Sequence, residues 1–277
     1  MKNEAGVEMM SSADVNALKS AVNLLENPNF VARLADLVGT PIEKAIALLP
    51  AKAAEGIGSA TQKAILAALK VALKTMDYHD PSAGDPPESS DWWHKAATAT
   101  SGAIGGAFGI FAVTVELPVS TTIIMRSIAD VARSEGADLN NVETQLECVQ
   151  VLAFGGPSGA DDGADIGYFA AREAMAKAAA DAAAHIAKNG LEAEGAPAIV
   201  RLILLIAERY SITVTEKVAA QLVPVIGAIG GALVNTAFMD HFQDMARGHF
   251  IVRRLERKYG EVLIRGKYAE FRDAQKR

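Results

Sequence analysis

Three aspartates in the loop GGPSGADDGAD are the first residues of this chain whose type and spacing indicate chemistry. Asp161, Asp162 and Asp165 follow the DDxxD spacing with which enzymes hold Mg²⁺ and a diphosphate, because carboxylate oxygens are ligands that Mg²⁺ prefers. Such a site needs a second acidic group on a facing helix, and Asp240 with Asp244 is the best candidate. The pattern predicts a metal-dependent hydrolase or transferase. It is equally typical of aspartates that cap the start of a helix.

Charged residues also recur at helical spacing directly after each of two apolar segments. Their spacings of four and seven residues place each set on one face of a helix. The sets could form an internal polar network around a ligand, or charge ladders along the seam of a helix bundle. The candidates for ligand binding or for the network are Glu116, Arg126, Asp130, Asp240, His241, Asp244 and Arg247.

Glu116 is the one carboxylate in an otherwise apolar stretch, residues 96–126. Pro118 cannot donate a backbone hydrogen bond, so we expect the chain to turn there and to restart as a helix over residues 119–134. Glu116 would then lie in apolar surroundings, where an unpaired carboxylate costs several kcal/mol or becomes protonated. Arg126 is the predicted counter-ion.

Zinc and thiol chemistry have little support in the sequence, and no residue pattern indicates a particular cofactor. His241 and His249 are eight residues apart, which corresponds to about 12 Å along a helix, and there is no HExxH pattern. Cys148 is the only cysteine, which excludes an internal disulfide and a cysteine-based metal cluster. We expect it to be a small buried hydrophobe.

Two uncharged, glycine-rich segments, residues 96–115 and 218–239, are the elements that must position these side chains. Glycines leave a helix with a bare face that another backbone can approach closely. The sequence thus predicts an all-α, multi-helix bundle with two central glycine-rich apolar helical hairpins. At 20 and 22 residues the segments are marginal for crossing a membrane, so membrane-inserting hairpins are the alternative. The glycines predicted at close helix contacts are Gly105, Gly106, Gly109, Gly227, Gly230 and Gly231.

Composition and charge argue against nucleic acid as a partner. Half of the 277 residues are hydrophobic, the mean hydropathy is +0.16 and the net charge is −6. Residues 247–277 nevertheless carry ten Lys or Arg against four acids. Such a basic end suits an anionic lipid surface, an acidic partner or the protein's own acidic body. Because the start of the sequence shows no secretory signal, we expect a cytoplasmic protein, or one at the inner face of the membrane.

Helix signals recur along the chain, and Pro, Gly and Ser residues divide it. The expected parts are a disordered N-terminus (1–12), an N-terminal helical subunit (13–76), an acidic Pro- and Ser-rich loop (77–91), a helical core (92–260) and a basic C-terminal tail (261–277). Besides the helix after Pro118, the predicted helices are 12–26, 29–38, 40–54, 59–76, 141–154, 165–188, 198–210 and 235–259. Gly56 and Gly58 should stop the helix over 40–54, and Ile65, Leu69, Ala72 and Leu73 should form the buried stripe of the next one.

Three blocks of the sequence resemble the EcsC protein family: VELPVSTTIIMRSIADVARSEG (115–136), FGGPSGADDGADIGYFAAREAM (154–175) and NTAFMDHFQDMARGHFIVRRLERKYG (235–260). The family takes its name from a bacterial protein encoded beside an ABC transporter. The resemblance implies an all-helical, hydrophobic bacterial protein in the cytoplasm or at the membrane. It implies no reaction, no cofactor and no catalytic residues.

These observations lead to three hypotheses about function. In the first, the protein binds a lipid or another hydrophobic small molecule with an acyl chain at the membrane surface, since it combines an apolar surplus, close-packing glycines and a basic end. In the second, it is a metal-dependent hydrolase or transferase that uses the two acidic groups. In the third, it is a transporter accessory or scaffold that binds only protein, and this hypothesis predicts an exposed apolar patch.

Overall fold

A computed structural model of the chain describes residues 10–49, 51–75, 109–156, 167–190, 196–221, 223 and 227–275. Every regular element within these ranges is helical, so the predicted all-α bundle is confirmed. The helices are α1 Ser12–Glu26, α2 Phe30–Val38, α3 Ile42–Ala47, α4 Ala51–Thr75, α5 Gly109–Ser134, α6 Val142–Gln150, α7 Tyr168–Asn189, α8 Pro197–Gln221, α9 Gly227–Tyr259 and α10 Glu261–Gln275, and a 3₁₀ turn, Val151–Ala153, follows α6.

Several helix ends follow the cap residues of the sequence. Ser11 caps α1, because its Oγ accepts a hydrogen bond from the Asp14 backbone N–H at 3.1 Å. Helix α7 ends at Gly190, whose φ of 69° is the left-handed conformation that favours glycine. The predicted bounds of these helices are therefore correct to within a few residues.

The predicted helix over 40–54 is wrong, because α3 ends at Ala47 and α4 begins at Ala51. The backbone amides just after α3 form i→i−3 hydrogen bonds, as in a 3₁₀ turn, such as Leu49 N to Ile46 O at 2.9 Å. Helix α4 then continues through Gly56 and Gly58, which were predicted to stop it. Each glycine costs a helix roughly 1 kcal/mol, and the buried stripe of α4 along the core outweighs that cost. This stripe includes the predicted Ile65, Leu69, Ala72 and Leu73 together with Ile57, Ala60 and Ala64.

Pro118 lies inside α5, so the predicted turn at this residue is also wrong. Nearby hydroxyl groups bond the carbonyls of this turn: Thr121 Oγ1 donates to Leu117 O at 2.7 Å, and Thr122 Oγ1 donates to Pro118 O at 2.8 Å. Leu117 and Thr121 are also buried. The packing of α5 on its neighbours thus compensates for the helix-breaking tendency of proline, roughly 3 kcal/mol.

Helices α8 and α9 are both longer than predicted. Helix α8 continues beyond Tyr210 to Gln221, and α9 begins at Gly227 rather than at Asn235. Ser211 and Thr215 do not end α8. The Ser211 hydroxyl donates to the carbonyl of Glu208 and the Thr215 hydroxyl to the carbonyl of Ser211, both within the helix. The second apolar segment therefore spans the junction between two long antiparallel helices.

Helix α9 is the axis of the bundle: α1, α2, α5, α8 and α10 all pack against it. Helix α4 packs along α5 and contacts α8 and α6, while α7 covers α6 and α8. One hydrophobic cluster extends through all these contacts, from Leu18 in α1 to Tyr268 in α10. Cys148 is buried within it, as predicted.

The Asp14 carboxylate connects α1 to the C-terminal end of α9 through hydrogen bonds and salt bridges. It accepts hydrogen bonds from Lys258 Nζ at 2.8 Å, Tyr259 OH at 2.7 Å and Arg254 NH1 at 3.3 Å. The bonds from Lys258 and Tyr259 hold the pKa of Asp14 well below its usual range.

The C-terminal residues, predicted as a basic tail, form α10 as far as Gln275. Ile264 and Tyr268 of this helix are buried, and Tyr268 OH donates to Glu26 Oε1 at 2.6 Å. Of the described helices, none has the length and apolar character needed to cross a membrane. The acidic loop 77–91 and the first uncharged segment as far as residue 108 lie outside the described residues.

Candidate functional site

The candidate site is built around a buried ion pair between α5 and α8. Lys217 Nζ donates to Glu116 Oε1 at 2.7 Å, and the two side chains are 1% and 15% exposed. The ammonium group of Lys217 also lies 4.5 Å from the centroid of the Phe238 ring on α9. A carboxylate and an aromatic face are both favourable partners for a cation that has been removed from water.

The counter-ion of Glu116 is thus Lys217, whereas the sequence pointed to Arg126. Glu116 and Arg126, both on α5, are ten positions apart, which is about 15 Å of helix. Arg126 lies on the exposed side of α5. Lys217 is 101 residues away in sequence from Glu116.

One sequence signal could have identified Lys217. Glu116 is the first charged residue after the uncharged segment 96–115, and Lys217 is the last charged residue before the uncharged segment 218–239. The two residues therefore occupy mirrored positions at the edges of the two segments.

Contacts around the ion pair fix the directions of the three helices. Thr121 Oγ1 and Tyr210 OH lie 2.7 Å apart. Thr121 follows Glu116 on α5, whereas Tyr210 precedes Lys217 on α8, so the two helices are antiparallel. Gln221 Nε2 donates to Asn235 Oδ1 at 3.2 Å, which places the end of α8 beside the beginning of α9. The start of α5, the end of α8 and the start of α9 therefore lie at the same end of the bundle.

We call this region the apolar end and define it as residues 109–115 of α5, 218–221 of α8 and 227–239 of α9. It contains no charged residue. Leu233 in the first turns of α9 is 48% exposed there, and Gly231 is buried. The side-chain surroundings of Gly109, Gly227 and Gly230, and all of Gly105 and Gly106, lie outside what the structure describes, so their close packing stays a prediction.

Glu216 adds a second buried carboxylate beside the ion pair. It is buried on the side of α8 that faces α3. Burial, and to a smaller extent the nearby Glu43 carboxylate, raises the pKa of Glu216 to about 7. This group therefore titrates near neutral pH at the border of the apolar end.

The other predicted site residues lie along the outside of α5 and α9. Asp130 pairs with Arg133 at 2.7 Å, Asp244 with Arg247 at 3.7 Å, and Asp240 with Arg33 of α2 at 3.6 Å. None of these three pairs includes Glu116 or Lys217. They have the geometry of charge ladders, which was the alternative explanation of their spacing.

His241 is buried rather than part of those ladders. Its ring packs against Phe30 and Phe242, and burial lowers its pKa to about 4. A methyl group on Gly155, whose φ is 74°, would lie 2.6 Å from His241 Cε1. Gly155 is therefore required here both by its backbone conformation and by the close approach of the ring. His241 Nε2 has no hydrogen-bond partner among the described residues.

A second buried polar cluster joins α6, α7 and α9. Tyr168 OH lies 2.7 Å from His249 Nδ1, and burial raises the pKa of the Tyr168 hydroxyl, so this group stays protonated. Burial also lowers the pKa of His249 well below its usual value, and the positive charges of Arg172 and Arg253 add to this effect. His249 is thus held neutral.

Arginines and glutamates complete this cluster. Arg172 forms a bidentate salt bridge with Glu256, with hydrogen bonds of 2.7 and 2.9 Å. Arg253 forms salt bridges with Glu256 at 2.8 Å and with Glu147 at 2.6 Å. Sequence spacing indicates only the Arg253–Glu256 pair, three residues apart on one helix. The cross-helix contacts have no local signal.

The predicted metal site has limited support. Asp161, Asp162 and Asp165 lie outside the described residues. Across the described ranges, no group of three or more His, Cys, Asp or Glu side chains converges to hold a metal ion.

Comparison with known proteins gives one match. The model of the EcsC protein family matches residues 16–255, beginning within α1 and ending within α9. No curated protein and no solved structure matches the chain.

Proposed function

We propose that this chain, which belongs to the EcsC protein family, binds lipid at the surface of a membrane through its apolar end. The observation that carries the proposal is the separation of charge along α9. Residues 227–239 are uncharged over about 20 Å of helix, whereas residues 240–259 carry eight Asp, Glu, Lys or Arg residues. The uncharged start of α5 and the uncharged end of α8 lie beside the uncharged part of α9.

Exposed hydrophobic side chains support a lipid partner for this end. Leu233 is half exposed on α9, and Leu48, which follows α3, is 80% exposed. Helix α3 packs on α8, the helix that ends at the apolar end. Large apolar side chains that remain in water next to an uncharged surface are typical of membrane-contacting or partner-binding sites.

Basic residues of α9 and α10 are engaged within the protein. Arg254 pairs with Glu135 at 2.7 Å and Lys258 with Asp14 at 2.8 Å, while Arg265 pairs with Glu173. These cations are paired with the protein's own acids, so we attribute lipid binding to the apolar end rather than to attraction between a basic tail and anionic lipids. Binding should accordingly depend little on salt.

Vesicle sedimentation tests the proposal. The purified chain is mixed with vesicles of phosphatidylcholine, alone or with phosphatidylglycerol, at low and high salt. We expect the protein to sediment with both kinds of vesicle, and Leu233→Lys to weaken binding by about tenfold, since a lysine in apolar lipid surroundings costs at least 1–2 kcal/mol.

Val262→Lys is the matched control. Val262 is 89% exposed but begins α10, about 40 Å along α9 from Leu233, and its replacement should leave binding unchanged. A protein that binds neither kind of vesicle at either salt concentration would exclude the proposed function. Equal losses in the two variants would exclude the apolar end as the lipid-binding surface.

A further inference from the structure

Lys217 places a buried positive charge at the inner border of the apolar end. The side chain is almost inaccessible to water, and the carboxylate of Glu116 is its charged partner at 2.7 Å. Residues 218–221 follow it directly and are uncharged. The ammonium group is therefore the cation adjacent to the surface to which the proposed function assigns lipid.

Stability alone does not account for this ion pair. Two apolar residues of similar volume at the same positions would commonly be as stabilising or more so, because removing both charges from water costs about as much as their attraction returns. The interior of a lipid-contacting helix bundle is an especially costly place for a lysine. A ligand that uses the charge explains why it is there.

We propose that Lys217 binds the anionic end of a single-chain lipid, a carboxylate or a phosphate, in place of the Glu116 carboxylate; this rests on the proposed function. The ligand group offers the ammonium the same kind of oxygen acceptor as Glu116 does. Glu116 is the more exposed partner, so its carboxylate is the one that can turn towards water when it is displaced. The acyl chain then extends along the described uncharged side chains near Lys217, in residues 218–221 of α8 and 231–239 of α9.

The aromatic contact favours this exchange. Phe238 lies 4.5 Å from Lys217 Nζ and holds the ammonium from the side of α9. Tyr210 stacks on Phe238 with ring centroids 6.1 Å apart and is itself fixed by Thr121. The cation thus keeps its position while its anionic partner changes, as a pre-organised binding group requires.

Calorimetric titration with decanoate, monodecyl phosphate and decan-1-ol tests the inference, because the three ligands share one chain and differ in charge at its end. The unaltered protein should bind at least one of the two anions about tenfold more tightly than the alcohol, since a charge-assisted hydrogen bond is the stronger kind. Comparison of the two anions then decides between a carboxylate and a phosphate.

Two variants separate the roles of the ion-pair residues. Glu116→Gln removes the competing carboxylate and should tighten anion binding by about tenfold, with little effect on the alcohol. Lys217→Met should remove the preference for the anions and retain binding of the alcohol. If Lys217→Met does not fold, the double variant Glu116→Gln with Lys217→Met, which leaves no uncompensated charge, replaces it.

Lys267 and Glu270 form a matched exposed Lys–Glu pair, 2.7 Å apart on α10, and Lys267→Met and Glu270→Gln should change none of these affinities. Equal affinities for the anions and the alcohol in the unaltered protein would overturn the inference but leave lipid binding intact. If none of the three ligands binds and vesicle binding is also absent, the proposed function itself fails.

Discussion

At the scale of single residues, the closest helix contact with described side chains is made by a glycine outside the two apolar segments. Gly248 of α9 faces α1, and a methyl group on it would lie 2.6 Å from Leu25 Cγ. Leu25 is buried, and Cγ is the branch point of its side chain, so it cannot easily move aside.

Gly248→Ala should therefore lower the free energy of unfolding by about 1–3 kcal/mol through overpacking, although alanine is the better helix former. The measurement is urea denaturation, and Gly248→Ala should cost less in a Leu25→Ala background than in the unaltered protein. Gly266→Ala is the control, because Gly266 lies in α10 with nothing within 4 Å of the added methyl group. It should be stabilising by up to about 1 kcal/mol; a stabilising Gly248→Ala would contradict the close contact.

Glu216 should make stability depend on pH in the direction opposite to that of most acidic side chains. Its pKa is raised from the usual 4.5 to about 7, so the folded state holds the proton more tightly than the unfolded state. Stability is then greatest below the unfolded pKa and is lost as the pH rises through the folded pKa.

Glu216→Gln should thus raise the free energy of unfolding by up to about 3 kcal/mol at a pH of about 8, and change it little at a pH of about 4. Denaturation curves at the two pH values provide the measurement. Glu208→Gln, an exposed position on the same helix, should have no such effect. If Glu216→Gln gave the same change at both pH values, the carboxylate would not be desolvated as described.

Sequence reasoning found one half of the buried ion pair. Glu116 stands out because a carboxylate interrupts an apolar run, and that observation alone predicted burial and a cationic partner. The identity of the partner depends on the antiparallel packing of α5 on α8, which no local pattern shows. For the same reason, the cluster of Glu147, Tyr168 and His249 was not predicted, since it is assembled from three helices.

At the scale of helices, buried salt bridges fix how the helices meet. Arg172 of α7 and Glu256 of α9 form two parallel hydrogen bonds, and the Glu256 side chain is 4% exposed. Such a pair contributes little net stability when intact. Removing Arg172 deprives Glu256 of these two bonds and leaves it Arg253, at 2.8 Å, as a charged partner.

Arg172→Met should accordingly destabilise the protein by roughly 1.5–3 kcal/mol, the contribution of hydrogen bonds to a charged group, as measured by thermal or urea unfolding. Arg265→Met removes an exposed salt bridge between α10 and Glu173 of the same helix α7, and should cost less than about 1 kcal/mol. Similar losses in the two variants would show that Glu256 finds another partner or reaches water.

The helix bounds show where local rules are sufficient and where packing overrides them. The bounds of α1 and α7 were predicted to within a few residues, because caps such as Ser11 and Gly190 act on their own backbone. Gly56, Gly58 and Pro118 were expected to end helices, yet each lies within one. Their local costs of about 1–3 kcal/mol are smaller than the gain from burying a continuous apolar stripe, and this gain depends on neighbours that the sequence does not show.

At the scale of the whole molecule, the all-α class followed directly from the periodicity of apolar residues, whereas the separation of an apolar end from a charged end did not. Uncharged segments 96–115 and 218–239 were evident, but the direction in which each leaves the bundle became clear only from the Thr121–Tyr210 and Gln221–Asn235 contacts. The basic C-terminal region was expected near the apolar helices; its residues on α9 lie at the other end of that helix.

The attachment of α1 to α9 through Asp14 has a consequence for synthesis on the ribosome. Lys258 follows Asp14 by 244 residues, so the N-terminal helix leaves the exit tunnel long before its partners exist. At about 5–20 residues per second, the interval is roughly 12–50 s. Throughout this time, the apolar side chains Leu18, Val22 and Leu25, buried in the finished protein, have no α9 to cover them. The nascent chain is thus expected to depend on a chaperone that covers these side chains of α1 until α9 has been synthesised.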